Sequence, residues 1–260
     1  MNPVKAIFFD IDGTLVSFRT HRIPDSTLRA LESLRERGIK LFIATGRPKS
    51  IVTNLGDFRF DGYVTLNGGI CIVDNETIFS RALPQEDTET LIEQSRGGER
   101  FPCIYVLDET MALTGGGVVV DEVMRMLDLK MPQRVAAEEI RGKKVYQALA
   151  FFTPEEEADV MRLMHGSVTT RWNDAFTDVV PAGSDKSVGM EKILTRFGIT
   201  RNECMAFGDG GNDIEMLRYA GYGIAMGDSA PEVQAAADYV TDTVDNDGIY
   251  KALARLGIVD

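Results

Sequence analysis

The chain has 260 residues, 44% of them hydrophobic and 8% aromatic, which is enough apolar material for a buried core and excludes a disordered chain. Its 28 Lys and Arg stand against 40 Asp and Glu, a formal net charge of −12. A surface of that sign repels phosphate backbones and anionic bilayers, so neither nucleic acid nor a membrane is the expected partner.

The three cysteines, Cys71, Cys103 and Cys204, cannot all pair and form no CxxC spacing, so free thiols in a reducing compartment are expected. The start of the chain does not read as a signal peptide and no apolar run approaches membrane-spanning length, which makes the expected location cytoplasmic.

In chain order, Val4 to Phe9 is a short apolar run that ends at Asp10, as a buried strand would. After Pro24-Asp25, Leu28, Leu31 and Leu34 recur at helical spacing and Gly38 follows as a stop. Leu41 to Ala44 predicts a second buried strand, Lys49 to Leu55 a helix, and Tyr63 to Leu66 a third strand. Such β-α-β-α-β alternation predicts a doubly wound parallel sheet with helices on both faces.

Residues 82–182 read differently. Prolines 84, 102, 132, 154 and 181 punctuate them, and strands such as Cys103–Val106 and Val145–Phe152 mix with helices. This is the pattern of a separate α+β module inserted into an α/β core of residues 1–81 and 183–260, with hinges near Leu83 and Ala182. The core alternation then resumes with a helix face at Val188, Met190, Ile193, Leu194 and Phe197, a strand Cys204–Phe207, a helix from Ile214, and further elements at Tyr222–Met226, Pro231–Ala237, Tyr239-Val240 and Ile249–Leu256.

Chemistry concentrates where core strands end. Asp10-Ile11-Asp12-Gly13-Thr14 directly follows the first strand. Two carboxylates so close repel in a dry site, so a cation sits between them or one holds a proton. A hard divalent ion such as Mg²⁺ takes oxygen ligands, and the spare carboxylate can shuttle protons. An EF-hand is excluded because its Gly belongs at position six of the loop and Gly13 comes too early. Thr45-Gly46-Arg47, after the second strand, offers a hydroxyl and backbone N–H groups at an expected helix start, an anion site or a plain turn.

Lys186 opens a helix, where a cation is unfavourable against the partial positive charge of the N-terminus; it reads either as the partner of a bound anion or as a solvated surface lysine. In Gly208-Asp209-Gly210-Gly211-Asn212-Asp213, Asp209 can enter a metal shell, Asn212 can bond phosphate or a metal-bound water, and Asp213 can cap its helix or hold a ligand. Asp245-Asn246-Asp247-Gly248 lacks a preceding apolar run, and Asp247 reads as an N-cap. In open α/β sheets ligands bind beyond the carboxyl ends of the strands, and all four motifs project there.

In this order the four motifs resemble those of the haloacid dehalogenase superfamily, and the insert resembles the type IIB cap of its Cof-like sugar phosphatases. The likeness implies a Rossmann-like core with Asp10 as nucleophile through an aspartyl-phosphate and Asp12 as acid and then base. It also implies Mg²⁺ held by Asp10, the backbone carbonyl of Asp12 and Asp209, with Asp213 touching the ion or its surroundings. Lys186, Thr45, Gly46, Arg47 and Asn212 would then address the phosphoryl group. The family lysine is often followed by Gly; here Ser187 follows, which is expected to alter the helix start and not the role of Lys186.

In the cap, Arg171 and Asp178 are expected to meet substrate hydroxyls, while Trp172 and Phe176 are either cap core or part of that contact. The implied partner is a small phosphorylated metabolite, a hexose or pentose phosphate, met by a monomer or weak homo-oligomer. Pyridoxal phosphate or a nucleotide, a phosphomutase or phosphotransferase on the same chemistry, and a non-catalytic sugar-phosphate sensor remain open. Other phosphatase chemistries fit poorly, since no Cys has Arg six residues on, His21 and His165 are the only histidines, and no GxSxG elbow is present.

Overall fold

The computed structural model describes residues 3–107 and 110–260; the side chain of Trp172, and with it the expectation placed on that ring, lies outside the described residues. The chain begins with β1 (Ala6–Phe9), α1 (Asp25–Glu36), β2 (Lys40–Ala44), β3 (Gly62–Thr65), β4 (Ile70–Val73) and β5 (Glu76–Ser80). It continues through α2 (Gln85–Gln94), β6 (Cys103–Leu107), β7 (Thr110–Thr114), α3 (Val118–Met126), β8 (Gln133–Arg134), β9 (Val145–Ala150), α4 (Pro154–Met161), β10 (Ser167–Asn173) and β11 (Phe176–Pro181). It ends with α5 (Lys186–Phe197), β12 (Cys204–Gly208), α6 (Ile214–Tyr219), β13 (Tyr222–Ala225), α7 (Pro231–Gln234), β14 (Tyr239–Val240) and α8 (Gly248–Arg255). Two compact units result. One comprises Met1–Arg47, Val52–Phe79 and Asp185–Asp260, the other Pro48–Ile51 and Ser80–Ser184.

The first unit is built on an eight-stranded sheet of order β14-β13-β12-β1-β2-β3-β4-β5. Strand β1 lies at its centre, parallel to β12 with Phe9 opposite Phe207 and parallel to β2 with Phe9 opposite Ile43. Burial on both faces accounts for the unbroken apolar run of β1. Because side chains alternate along a strand, Ile7 and Phe9 join α1 and α8 in one cluster, while Ala6 and Phe8 join α5 and α6 in the other. Each buried Phe contributes on the order of 1.5–3 kcal/mol.

The sheet is mixed rather than wholly parallel, since β4 runs antiparallel to β3 and pairs onward with β5. The turn between β4 and β5 is Asp74-Asn75, both at positive φ (53° and 63°), the backbone that matches the twist of a two-residue hairpin. The helix expected over Lys49–Leu55 is only a single 3₁₀ turn, Lys49–Ile51. Pro48 disfavours a helical Arg47, and Thr53, Asn54 and Gly56 propagate helix poorly. The element expected over Pro231–Ala237 is a short helix, Pro231–Gln234. Asp247 does not cap with its side chain; it sits at φ 60° and its carboxylate accepts from Ser26 Oγ instead.

The second unit carries a six-stranded sheet of order β10-β11-β9-β6-β7-β8, with β6, β9 and β11 antiparallel neighbours. Among the described residues no helix is long and apolar enough to cross a membrane.

Candidate active site

The parallel strands β12, β1, β2 and β3 are neighbours, so the loops leaving their carboxyl ends lie side by side. Asp10 takes its place through its backbone N–H, which donates to Phe207 O at 3.0 Å. Beyond it the chain folds back, with Gly13 N donating to Val16 O at 2.9 Å and Val16 N to Ile11 O at 2.7 Å. Gly13 adopts φ 86°, and a Cβ there would come 2.5 Å from Asp209 Oδ2; only glycine allows the Asp209 carboxylate this close. Thr14 Oγ1 then donates to Asp209 Oδ1 at 2.6 Å.

Lys186 begins α5, whose N-cap Asp185 accepts from the N–H groups of Ser187 and Val188. Ser187 in place of glycine therefore leaves an ordinary helix start. Gly189, one turn in, lets the helix lie against β3, because a Cβ there would come 2.3 Å from Val64 Cγ1. The Lys186 side chain is 0% exposed, and its Nζ donates to Asp10 Oδ1 and Asp213 Oδ1, each at 2.6 Å. The anions near this lysine are thus carboxylates of the protein itself. Asp213 is also fully buried, and its Oδ2 accepts from Asp209 N and Gly210 N, each at 2.9 Å. This carboxylate shapes the loop that presents Asp209.

Ligand oxygens of Asp10, Asp209 and Asp213 lie within 4.8 Å of one another. Burial pushes Asp10 up to about 7, with Asp213 and Asp12 adding to the rise and Lys186 opposing it. Asp209 is raised by burial and by the charges of Asp10 and Asp213. Burial would lower Lys186, but Asp10 and Asp213 outweigh it and hold the ammonium charged. Were all three carboxylates ionised, one ammonium would leave 3 − 1 = 2 negative charges uncompensated, and the raised values of Asp10 and Asp209 reflect their burial and that repulsion.

An all-oxygen donor set with that deficit fits a hard divalent cation. Asp213 already uses both oxygens on protein donors, so Asp10 Oδ2 and Asp209 Oδ2, which carry none of the bonds above, are the atoms suited to an ion. Asp12 is not part of this acidic group. Both its carboxylate oxygens accept from Arg47, from Nε at 2.6 Å and from an Nη at 2.5 Å.

Thr45 sits between β2 and β3, donating its N–H to Val64 O at 2.9 Å, while its hydroxyl accepts from Arg47 N at 3.1 Å. Only the 3₁₀ turn Lys49–Ile51 follows it, so the α-helix N-terminus expected beside Thr45 is absent. Asn212 Nδ2 donates to Asn67 Oδ1 at 3.0 Å.

Asn67 joins this group from outside the four sequence motifs. It lies in a run of positive φ, Leu66 at 53°, Asn67 at 49° and Gly68 at 88°, strain of a kind that persists only where surrounding structure enforces it. This loop braces three of the motifs. Asn67 N donates to Thr45 O, Leu66 N donates to Arg47 O, and a Cβ on Gly68 would come 2.0 Å from Asp185 O. The available signal was an Asn-Gly pair directly after a buried strand, which reads equally well as an ordinary turn.

In the second unit, Arg171 and Asp178 meet partners of their own. Arg171 donates from Nε to Glu157 Oε2 at 2.9 Å, and from its Nη atoms to the carbonyls of Phe152, Asn173, Asp174 and Phe176. Asp178 is 2% exposed and accepts from Gln147 Nε2 at 3.0 Å. Both side chains thus have protein partners within their own unit, and a substrate contact at either stays an expectation. Arg171 closes an irregular hairpin whose register shifts between Thr170 and Asn173, and Asp178 is a buried residue of β11. Phe176 is fully buried, in the unit's core.

A family model of haloacid dehalogenase-like hydrolases matches residues 7–253. The Bacillus subtilis protein YkrA, to which a phosphatase role is ascribed, is 33% identical over 259 residues, 98% of each chain. Among solved structures, a sugar phosphatase of subclass IIB, BT4131, superposes with a TM-score of 0.93 at 44% identity, covering 98% of this chain and 100% of that one. The phosphatase BT1666 of Bacteroides thetaiotaomicron gives 0.90 at 37% identity, covering 99% and 96%. The chain belongs to the haloacid dehalogenase-like hydrolases, as a phosphatase.

Proposed function

We propose that the protein is a Mg²⁺-dependent phosphomonoesterase of small sugar phosphates, acting in the cytoplasm through an aspartyl-phosphate on Asp10. The observation that carries this reading is the buried Lys186 ammonium bridging Asp10 and Asp213, with Asp209 alongside. Asp10 attacks phosphorus, forming an Oδ–P bond as the bridging ester O–P bond breaks, and Asp12 gives its proton to the departing alkoxide. Water then attacks phosphorus, the Asp10 Oδ–P bond breaks, and Asp12 takes a proton from that water, restoring both residues.

Asp10 and Asp209, with the backbone carbonyl of Asp12, would hold the ion, while Asp213 fixes Lys186 and the Asp209 loop. A bound Mg²⁺ supplies positive charge against the repulsion between an incoming carboxylate and a phosphate dianion. Lys186 adds its own charge from the protein side, and Asn212 and Thr45 orient the phosphoryl oxygens. The sugar phosphate class is supported by the 44% identity to a sugar phosphatase, and the cytoplasmic location by the three free, buried thiols.

Hydrolysis measured across sugar phosphates, nucleotides and pyridoxal phosphate, each with Mg²⁺ and with a chelator, tests the reading. Mg²⁺-dependent release of phosphate from hexose or pentose phosphates is expected. Activity confined to nucleotides refutes the substrate class, and activity unaffected by chelation refutes the ion.

A further inference from the structure

We infer that Arg47 is a positioning residue for the proton-transfer group Asp12, rather than a ligand of the substrate phosphate. The inference rests on the reading of Asp12 as acid and base given above. Arg47 presents one edge of its guanidinium to Asp12, Nε to Oδ2 at 2.6 Å and an Nη to Oδ1 at 2.5 Å. A planar fork on a planar carboxylate fixes the rotation of both groups, which a single hydrogen bond does not. The pair is largely withdrawn from water, the side chains being 8% and 16% exposed, so solvent does not readily exchange for either partner.

The fork is itself anchored. Arg47 N donates to Thr45 Oγ1 at 3.1 Å and Arg47 O accepts from Leu66 N at 3.3 Å, tying its backbone to the loops after β2 and β3. Lys186, the other buried cation, is directed to Asp10 and Asp213. The two cations therefore divide the acidic groups between them, Lys186 with the nucleophile and Arg47 with the proton carrier. Proton transfer needs the donor oxygen within hydrogen-bond reach of the leaving oxygen, so a freely rotating Asp12 loses rate even with its chemistry intact.

The leaving group separates this role from phosphate binding. An alkoxide needs the proton of Asp12 to depart, whereas 2,4-dinitrophenolate leaves without help. A phosphate ligand serves both substrates equally. The test compares kcat/KM, which reports only steps up to phosphoenzyme formation, for R47M, R47K and D12N on the best alkyl phosphate of the panel and on 2,4-dinitrophenyl phosphate.

The expected result for R47M is an alkyl loss on the order of 10²-fold, the lower end of what a placed general acid contributes, with an aryl loss at least tenfold smaller. R47K retains charge but cannot fork and is expected to show the same split. It also carries the test if R47M fails to fold, with thermal midpoints recorded for both. Equal losses on the two substrates in both Arg47 variants overturn the inference. If D12N also shows no split, the acid role of Asp12 falls and the inference falls with it. A split in D12N without one in the Arg47 variants overturns only the role of Arg47.

Discussion

Both units bury charged side chains, and they treat them in opposite ways. In the second unit each is answered locally. Asp87, 4% exposed, accepts from His165 N, Gly166 N and Ser167 Oγ; Asp178 accepts from Gln147; and Arg171 is matched by Glu157 and four carbonyls. In the first unit three carboxylates cluster, two of them, Asp10 and Asp213, on one ammonium, and Asp10 and Asp209 are raised by burial and by neighbouring carboxylates. Burying charge is costly in either place. A satisfied buried charge organises the fold, whereas a collective deficit of positive charge marks where an external cation belongs.

The sharpest way to break that contrast is to remove the nucleophile. Asp10→Asn should lower kcat by at least about 10³-fold while circular dichroism and the thermal midpoint stay near wild type; near-normal turnover would sink the covalent scheme. Lys186→Met should leave the carboxylates without their buried partner and lower stability by about 3 kcal/mol or more, read from a urea titration. An unchanged urea midpoint would mean that the ammonium does not hold the site together.

Saturating Mg²⁺, at about 100 times its Kd, should stabilise the protein by about 2.7 kcal/mol. Asp209→Asn should abolish that gain and Asp87→Ala should not. Asp87→Ala itself should cost about 1–3 kcal/mol by orphaning buried donors and leave kcat unchanged; a fall in kcat would blur the line drawn between the units.

One further effect should be common to both units. Burial pushes the thiols of Cys71, in the first, and Cys103, in the second, from 9.0 up to about 12. A folded value above the unfolded one favours the protonated, folded form. This contribution is therefore complete below pH 9 and is lost as pH rises toward 12. Urea midpoints at pH 8 and pH 10.5 should show the decline, and native thiols should resist iodoacetamide at pH 8. Rapid alkylation of either cysteine would contradict its burial.

Legibility in the sequence followed range. Strand β1 and the aspartates after it were readable because an unbroken apolar run ending in Asp-x-Asp-Gly is a local signal, and so was the return of the β-α alternation from Val188 onward. The β4–β5 hairpin went unread although Asp74-Asn75 announces it, because its strands are short and β5 is only partly buried. The helix expected after Thr45 failed because a local periodicity was outweighed by Pro48 and weak helix formers. Asn67 and the Arg47–Asp12 fork were invisible for a different reason, since each joins loops from separate strands.

By itself, then, the amino-acid order determined which side chains could do chemistry and that the motifs of Asp10, Thr45 and Asp209 stand at strand ends and Lys186 at a helix start, since apolar runs and turn residues act over a few positions. Only the tertiary structure decided their pairings: Lys186 with Asp10 and Asp213, Arg47 with Asp12, Arg171 with Glu157, and Asp178 with Gln147. Hydrogen bonds and burial reach a few ångströms, and the residues joined in these pairings lie up to 176 positions apart in the chain.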